Sequence, residues 1–239
     1  MNGFIIYDGP SVLDGQPIIA VATLKTSNAK TGNMIQTWIM RRDIEPHLAI
    51  KSGDDSSVCG GCVQRQGLGG ACYVAVHQAP LSVYRSFHRG SYADTVPKDK
   101  INGRDLRLGS YGDPAAVPYE VWQNLIDTVK PAVHTGYTHQ IGHPKFDKRI
   151  ADICMISADT PKAASKAHGL GLRTFRVTTN ASDRLPNEIE CLADSKGIQC
   201  VDCGMCNGKN DSANIAITVH GSLSARYSDK FERINVINL

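Results

Sequence analysis

Apolar and polar positions change period several times along the chain, and those changes predict its elements. Residues 17–24, "PIIAVATL", and 34–40, "MIQTWIM", are rich in β-branched and apolar side chains and flank the polar turn "KTSNAKTGN". They predict two strands, paired as a hairpin or lying at a sheet edge. In "APLSVYRSFHRG" (79–90) the period lengthens, with Leu81, Tyr84, Phe87 and His88 at helical spacing before Gly90, and a helix is expected.

From residue 105 onward apolar runs alternate with amphipathic ones. "DLRLGSYGDP" reads as a strand and glycine turn, "VPYEVWQNLIDTVK" as a helix begun by proline, and "PAVHTGYTH" as the next strand. The pattern recurs as "ADICMISADT", "PKAASKAHGLG" and "LRTFRVTTN", and "ANIAITVHG" adds a strand near the end. Strand, helix, strand with short polar loops is the pattern of an α/β fold. The expectation is a full or partial parallel (β/α) barrel with an N-terminal strand pair and a C-terminal cysteine-rich loop, with a doubly wound sheet as the competing architecture.

No repeat or linker interrupts the 239 residues, so one domain is expected. Within it, residues 1–54 form the N-terminal strands, 55–180 the first cysteine loop and the βα units, 181–213 a C-terminal cluster-binding loop, and 214–239 the final strand and tail. Hydrophobic residues make up 41% and the net charge is +3, which is too small to argue for nucleic acid or a membrane. Positive charge gathers in "RSFHRG" and "KDKINGRDLR", read as a solvated helix face in preference to a phosphate contact. The opening segment has no signal-peptide pattern and no run is long enough to span a bilayer, so a cytoplasmic protein is expected.

Eight cysteines change this ordinary picture. In a reducing compartment they point to metal binding or catalysis before disulfides. Seven fall into two groups: Cys59 and Cys62 with Cys72 nine residues on, and Cys191 followed after eight residues by Cys200, Cys203 and Cys206. CxxCxxC places three thiolates on a tight loop that reaches different irons of one cubane, with Cys191 closing the fourth corner. Structural zinc is the alternative for either group. The first group lacks a fourth cysteine, and two outcomes stand open: His77 completes a Cys3His zinc clip, or a 4Fe-4S cluster keeps one iron free for a small molecule. Cys154 reads as a small buried core residue.

A three-cysteine loop after an early strand, then a helix, then a strand ending in Gly112, Asp113 and Pro114 resembles the radical S-adenosylmethionine superfamily. The resemblance covers residues 55 to 220 in order of elements. It departs from the family in its CxxC-x9-C spacing, where CxxxCxxC is usual, and in having Asp113 where glutamate is usual. It implies that Cys59, Cys62 and Cys72 hold a cluster with an open iron for S-adenosylmethionine, that Gly112 and Asp113 form the turn meeting its amino group, and that Tyr73 is the aromatic residue beside the cluster. Cys191, Cys200, Cys203 and Cys206 then resemble an auxiliary cluster site. "KTGNMIQTWI", "CGGC", "ACYV" and "LGSYGDP" are also similar to an uncharacterised family of bacteriophage and actinobacterial proteins.

Among the remaining candidates, His134, His139 and His143 surround one predicted strand end, and His139 is taken as an acid/base or substrate-binding group. Ser157, Asp159, Arg176, Asn180 and His220 lie at other strand ends. Arg176 is taken as a ligand for a substrate carboxylate or phosphate, while Asp159 and Asn180 also suit helix capping or a turn. Two functional readings follow. One is an iron-sulfur enzyme acting on a small or macromolecular substrate. The other is a non-enzymatic phage protein whose zinc or iron-sulfur clips hold a surface against a host protein or nucleic acid.

Overall fold

The computed structural model describes residues 2–208, 212–220 and 224–227. The chain is a mixed α/β protein with two five-stranded sheets. In the first, β1 (Gly3–Pro10), β2 (Pro17–Thr23), β3 (Ile35–Arg41), β4 (Leu106–Tyr111) and β5 (His134–Thr135) lie in that order. β1, β2 and β3 pair antiparallel, while β3, β4 and β5 pair parallel. The second sheet, β6 (Tyr137–Thr138), β7 (Met155–Ala158), β8 (Thr174–Thr178), β9 (Glu188–Glu190) and β10 (Asn214–Thr218), is parallel throughout in the order β6-β7-β8-β10-β9.

The N-terminal strand pair is present as β2 and β3, with β1 added outside it. The expected strand 131–139 is divided into β5 and β6 at Gly136. A Cβ there would lie 2.6 Å from Cys154 Sγ and 3.2 Å from Leu108 Cβ. A glycine is therefore needed where the two sheets meet, and Cys154 is buried beside it.

The helices cover one face. Trp122, Leu125 and Val129 follow the apolar stripe of the helix Tyr119–Val129. With Val83 and Tyr84 of Ala79–His88 they join one cluster with Ile35, Ile39, Leu106 and Leu108. Trp122 also donates from Nε1 to Pro114 O at 2.8 Å. Pro161–Gly169 starts on Thr160, whose hydroxyl accepts from Ala163 N at 3.1 Å, an N-cap satisfying an otherwise orphan donor. Its Ala167 packs with Ile156 of β7. Among the described residues no helix is long and apolar enough to cross a membrane.

On the face opposite Ile35 and Leu106, a polar strip crosses β3, β4 and β5. Register pairs Gln36 with Arg107 and Arg107 with Thr135, and all three are at most 8% exposed. Such a buried polar strip is costly unless satisfied, and it leads directly to the two cysteine groups.

Candidate functional site

The first cysteine group follows β3. A single helical turn, Ser56–Cys59, ends on Gly60 at φ 51°, where a side chain would be strained and its Cβ would lie 2.1 Å from Gln140 Oε1. Cys62 N then donates to Cys59 O and Cys72 N to Gln64 O, at 3.1 and 2.9 Å. The loop is braced by Arg65, which donates to Gly60 O and is paired with the buried Asp55. Its far end is held by Gln66 Nε2, which donates to Cys72 O at 2.8 Å and Val74 O at 2.9 Å.

These contacts bring Cys59, Cys62 and Cys72 to the wall of one small cavity, together with Arg65, Val76 and Tyr111. Burial, then the neighbouring Cys62, Cys72, Asp55 and Asp113, pushes the Cys59 thiol well above its ordinary pKa. Burial likewise raises that of Cys72. Gathering thiols in a shielded space makes them protonated in isolation, and a bound cation would reverse that.

The end of β4 closes on this loop. Asp113 N donates to Val58 O at 2.7 Å. Its carboxylate accepts from Ala115 N at 3.0 Å, His139 N at 2.8 Å and Gln140 Nε2 at 3.1 Å. Gly112 crosses β3, its Cβ position 2.7 Å from Ile39 O. Asp113 is thus 6% exposed and engaged in holding the loops together.

Gln140, which the sequence reading passed over, is the centre of that arrangement. At 2% exposure its amide donates to Cys59 O at 2.9 Å and accepts from Gly61 N at 3.1 Å, pairing with the CxxC turn as a neighbouring strand would. Nothing in the local sequence marks it, because its partners lie about eighty positions away.

His139 sits beside Cys62. Burial opposes a charge on its ring, but hydrogen bonds to Asp159 and Cys62 outweigh it and hold the pKa well above the ordinary value. Asp159 Oδ1 is 3.6 Å from His139 Nε2 and accepts from Gln64 Nε2 of the cysteine loop at 3.0 Å. Thr160 takes the helix cap, which leaves Asp159 to these partners. His77 is exposed, whereas His139 is hydrogen-bonded to a thiol of the first group, Cys62. His143 Nδ1 accepts from Lys145 N and His134 Nε2 lies 2.9 Å from Asn207 O, each a structural use.

Arg176 is on the other side of the second sheet. Register places it beside Ala158, whereas Phe175 lies beside Ser157, and alternation turns neighbours to opposite faces. Phe175 joins the cysteine-side cluster. Arg176 is instead 1% exposed against Glu188, with Nε–Oε1 at 2.8 Å and Nη2–Oε2 at 2.6 Å. Its carboxylate partner comes from β9. Asn180 forms a capping box with Asp183.

The C-terminal group is built on two short turns. Cys191 precedes the turn Leu192–Ser195, Cys200 and Cys203 bound another, and Cys206 is buried with Met155, Ile215 and Tyr137. Burial raises the Cys206 pKa to about 12, with Cys191, Cys200 and Cys203 adding to it and a hydrogen bond from Tyr137 opposing it. The polar turn between β2 and β3 holds this loop: Lys30 O accepts from Cys200 N at 2.9 Å and Ala29 O from Gln199 Nε2 at 2.8 Å.

Between the two groups lies Arg107. It reaches the hydroxyl of Tyr73, next to Cys72, at 3.3 Å and covers the Tyr137 ring at 4.9 Å. Burial disfavours its charge, yet Tyr73, Tyr137 and Cys200 raise its pKa above the ordinary arginine value. Tyr73 itself is 65% exposed.

All cysteines are free thiols. Among the described residues no three His, Cys, Asp or Glu side chains are placed to share a single metal ion. Compared with protein-family models, curated proteins and solved structures, the chain gives no match.

Proposed function

We propose that the chain is a two-centre iron-sulfur protein of radical S-adenosylmethionine type. Cys59, Cys62 and Cys72 hold a 4Fe-4S cluster with one open iron, and Cys191, Cys200, Cys203 and Cys206 hold a second cluster. The parallel run from β3 to β9 is read as a partial (β/α) barrel, with both cysteine loops on its inner side. The observation that carries the proposal is the convergence of three thiols, without a fourth cysteine, on one cavity closed by the end of β4.

When bound, such a cluster supplies the electron for reductive cleavage of S-adenosylmethionine. The chain's own residues prepare the place for it. Gln140 and Asp113 fix the CxxC turn, Arg65 and Asp55 brace it, and His139 holds a proton between Asp159 and Cys62. The substrate is a small molecule or a macromolecule reached from the exposed Tyr73 side of the loop.

Purification under argon tests the reading. Full loading gives about eight irons per chain, and S-adenosylmethionine perturbs the spectrum of the first centre. Cys72→Ser should abolish that response and leave the second centre. Zinc in place of iron, or no response to S-adenosylmethionine, overturns the proposal.

His139 beside Cys62 favours a second reading. In it His139 completes a Cys3His zinc clip on loading, and the protein is a non-enzymatic phage component holding a host protein or nucleic acid. One zinc at the first group, lost in His139→Ala and indifferent to S-adenosylmethionine, selects it.

A further inference from the structure

We propose that a cavity under the helix Tyr119–Val129 is a binding site for a small organic amine with an apolar body. The cavity holds about 340 Å³, at the lower end of the range for small-molecule sites. Tyr119, Gln123 and Ile126 form one wall, spaced i, i+4 and i+7 on a single face of that helix. The other walls are the stretch 131–134 that enters β5, positions 152–153 ahead of β7, and positions 204 and 207. These lie at the N-terminal ends of β5 and β7. Asp113 and Asp159, which meet the first cysteine loop, follow the C-terminal ends of β4 and β7. The cavity is therefore a second site, apart from that loop.

Hydrogen bonds fix the walls. The Tyr119 hydroxyl donates to Gln123 Oε1 at 2.6 Å, Gln123 Nε2 donates to Asp127 Oδ1 at 2.8 Å, and the Arg149 guanidinium lies 4.4 Å from the Tyr119 ring centre. Across the cavity His134 Nε2 is 2.9 Å from Asn207 O; a carbonyl only accepts, so that nitrogen carries the proton. Asn207 is held in turn by Arg173, whose Nη1 donates to its Oδ1 at 3.1 Å. Walls fixed in this way lose little freedom when a ligand enters. The sign of the ligand's charge follows from the lining, which contains one carboxylate, Asp152, and no lysine or arginine. Among the described residues no cation pairs with Asp152. Its field reaches the opposite wall, where burial and then Asp152 push the Tyr119 hydroxyl pKa up. An ammonium group is drawn to this carboxylate and a carboxylate ligand is repelled, while Ile126, Val133 and Ile153 receive the apolar body.

The test is calorimetric titration of the full chain with three probes that share one body: phenethylamine, 2-phenylethanol and phenylacetate. The amine should bind with a Kd of about 0.1–1 mM, as its size allows, and at least about tenfold more tightly than the acid, with the alcohol between them. Asp152 is exposed, so Asp152→Asn keeps the fold. It should weaken the amine about fivefold, the size of an ion pair still in contact with water, and leave the alcohol unchanged. Ala132→Trp, at another exposed position of the lining, should fill the cavity and remove binding of all three, with circular dichroism checking that the variant is folded. No heat from the amine, equal affinity for amine and acid, an amine affinity unchanged in Asp152→Asn, or parental binding in folded Ala132→Trp overturns the proposal.

Discussion

Replacing Gln140 by alanine isolates the tertiary contact on which the first cysteine loop depends. The side chain donates to Cys59 O at 2.9 Å and to Asp113 Oδ2 at 3.1 Å, and accepts from Gly61 N at 3.1 Å. A net contribution of about 0.5–1.5 kcal/mol for each neutral bond and about 1.5–3 kcal/mol for the bond to the carboxylate sums to roughly 2.5–6 kcal/mol. Water entering the vacated space recovers part of this, so a loss of about 3 kcal/mol is expected. The loss should be seen as a lower urea midpoint with an unchanged slope. The same variant should label faster at Cys59 with a thiol reagent, read by mass spectrometry, because the turn is no longer held against β6. Gln140→Glu keeps the acceptor for Gly61 but sets a second carboxylate against Asp113, and should be at least as damaging. If Gln140→Ala loses less than about 1 kcal/mol and Cys59 labels at the parental rate, the clamp is not what organises this loop.

Three further outcomes follow from the packing. Glu188→Gln should cost about 3–5 kcal/mol by stranding the buried Arg176 charge, while the pair Arg176→Met with Glu188→Leu should restore most of it; urea unfolding of both decides. Gly136→Ala should cost about 1–3 kcal/mol through contact with Cys154 Sγ, and Cys154→Ala in the same chain should return part of that, a coupling measurable in a double-mutant cycle. Trp122→Phe should lower stability by about 2–3 kcal/mol, because it opens space in a fully buried site and leaves Pro114 O without its donor. A thermal melt within error of the parent would count against that account.

The two cysteine groups are assembled by different means. The first is held by buried polar groups from three loops, Asp55, Asp113 and Gln140, which makes its geometry rigid. The second is held by backbone bonds to the turn between β2 and β3 and by packing of Cys206 under Tyr137. Gly32 of that turn has its Cβ position 2.6 Å from Val201, so even the polar segment between the first predicted strands is shaped by the C-terminal loop it carries.

Periodicity alone determined β2, β3, β4, β7, β8, β10 and the helices at 79–88, 119–129 and 161–169, since each carries enough apolar residues for its period to be read. Spacing alone also separated the seven cysteines into the two groups that the fold then assembles. β1 escaped because its mixed "GFIIYDGP" becomes a strand only against β2, and β9 because three residues hold no period. Tertiary structure decided the rest. Arg176 lies away from the cysteines because register, which no single strand reveals, sets its face, and a shift of one residue would have turned it inward. His139, Gln140 and Arg107 acquire their partners from segments tens of residues distant. A local sequence encodes the shape of its own backbone, but the energy of a buried polar group depends on whatever long-range neighbour satisfies it.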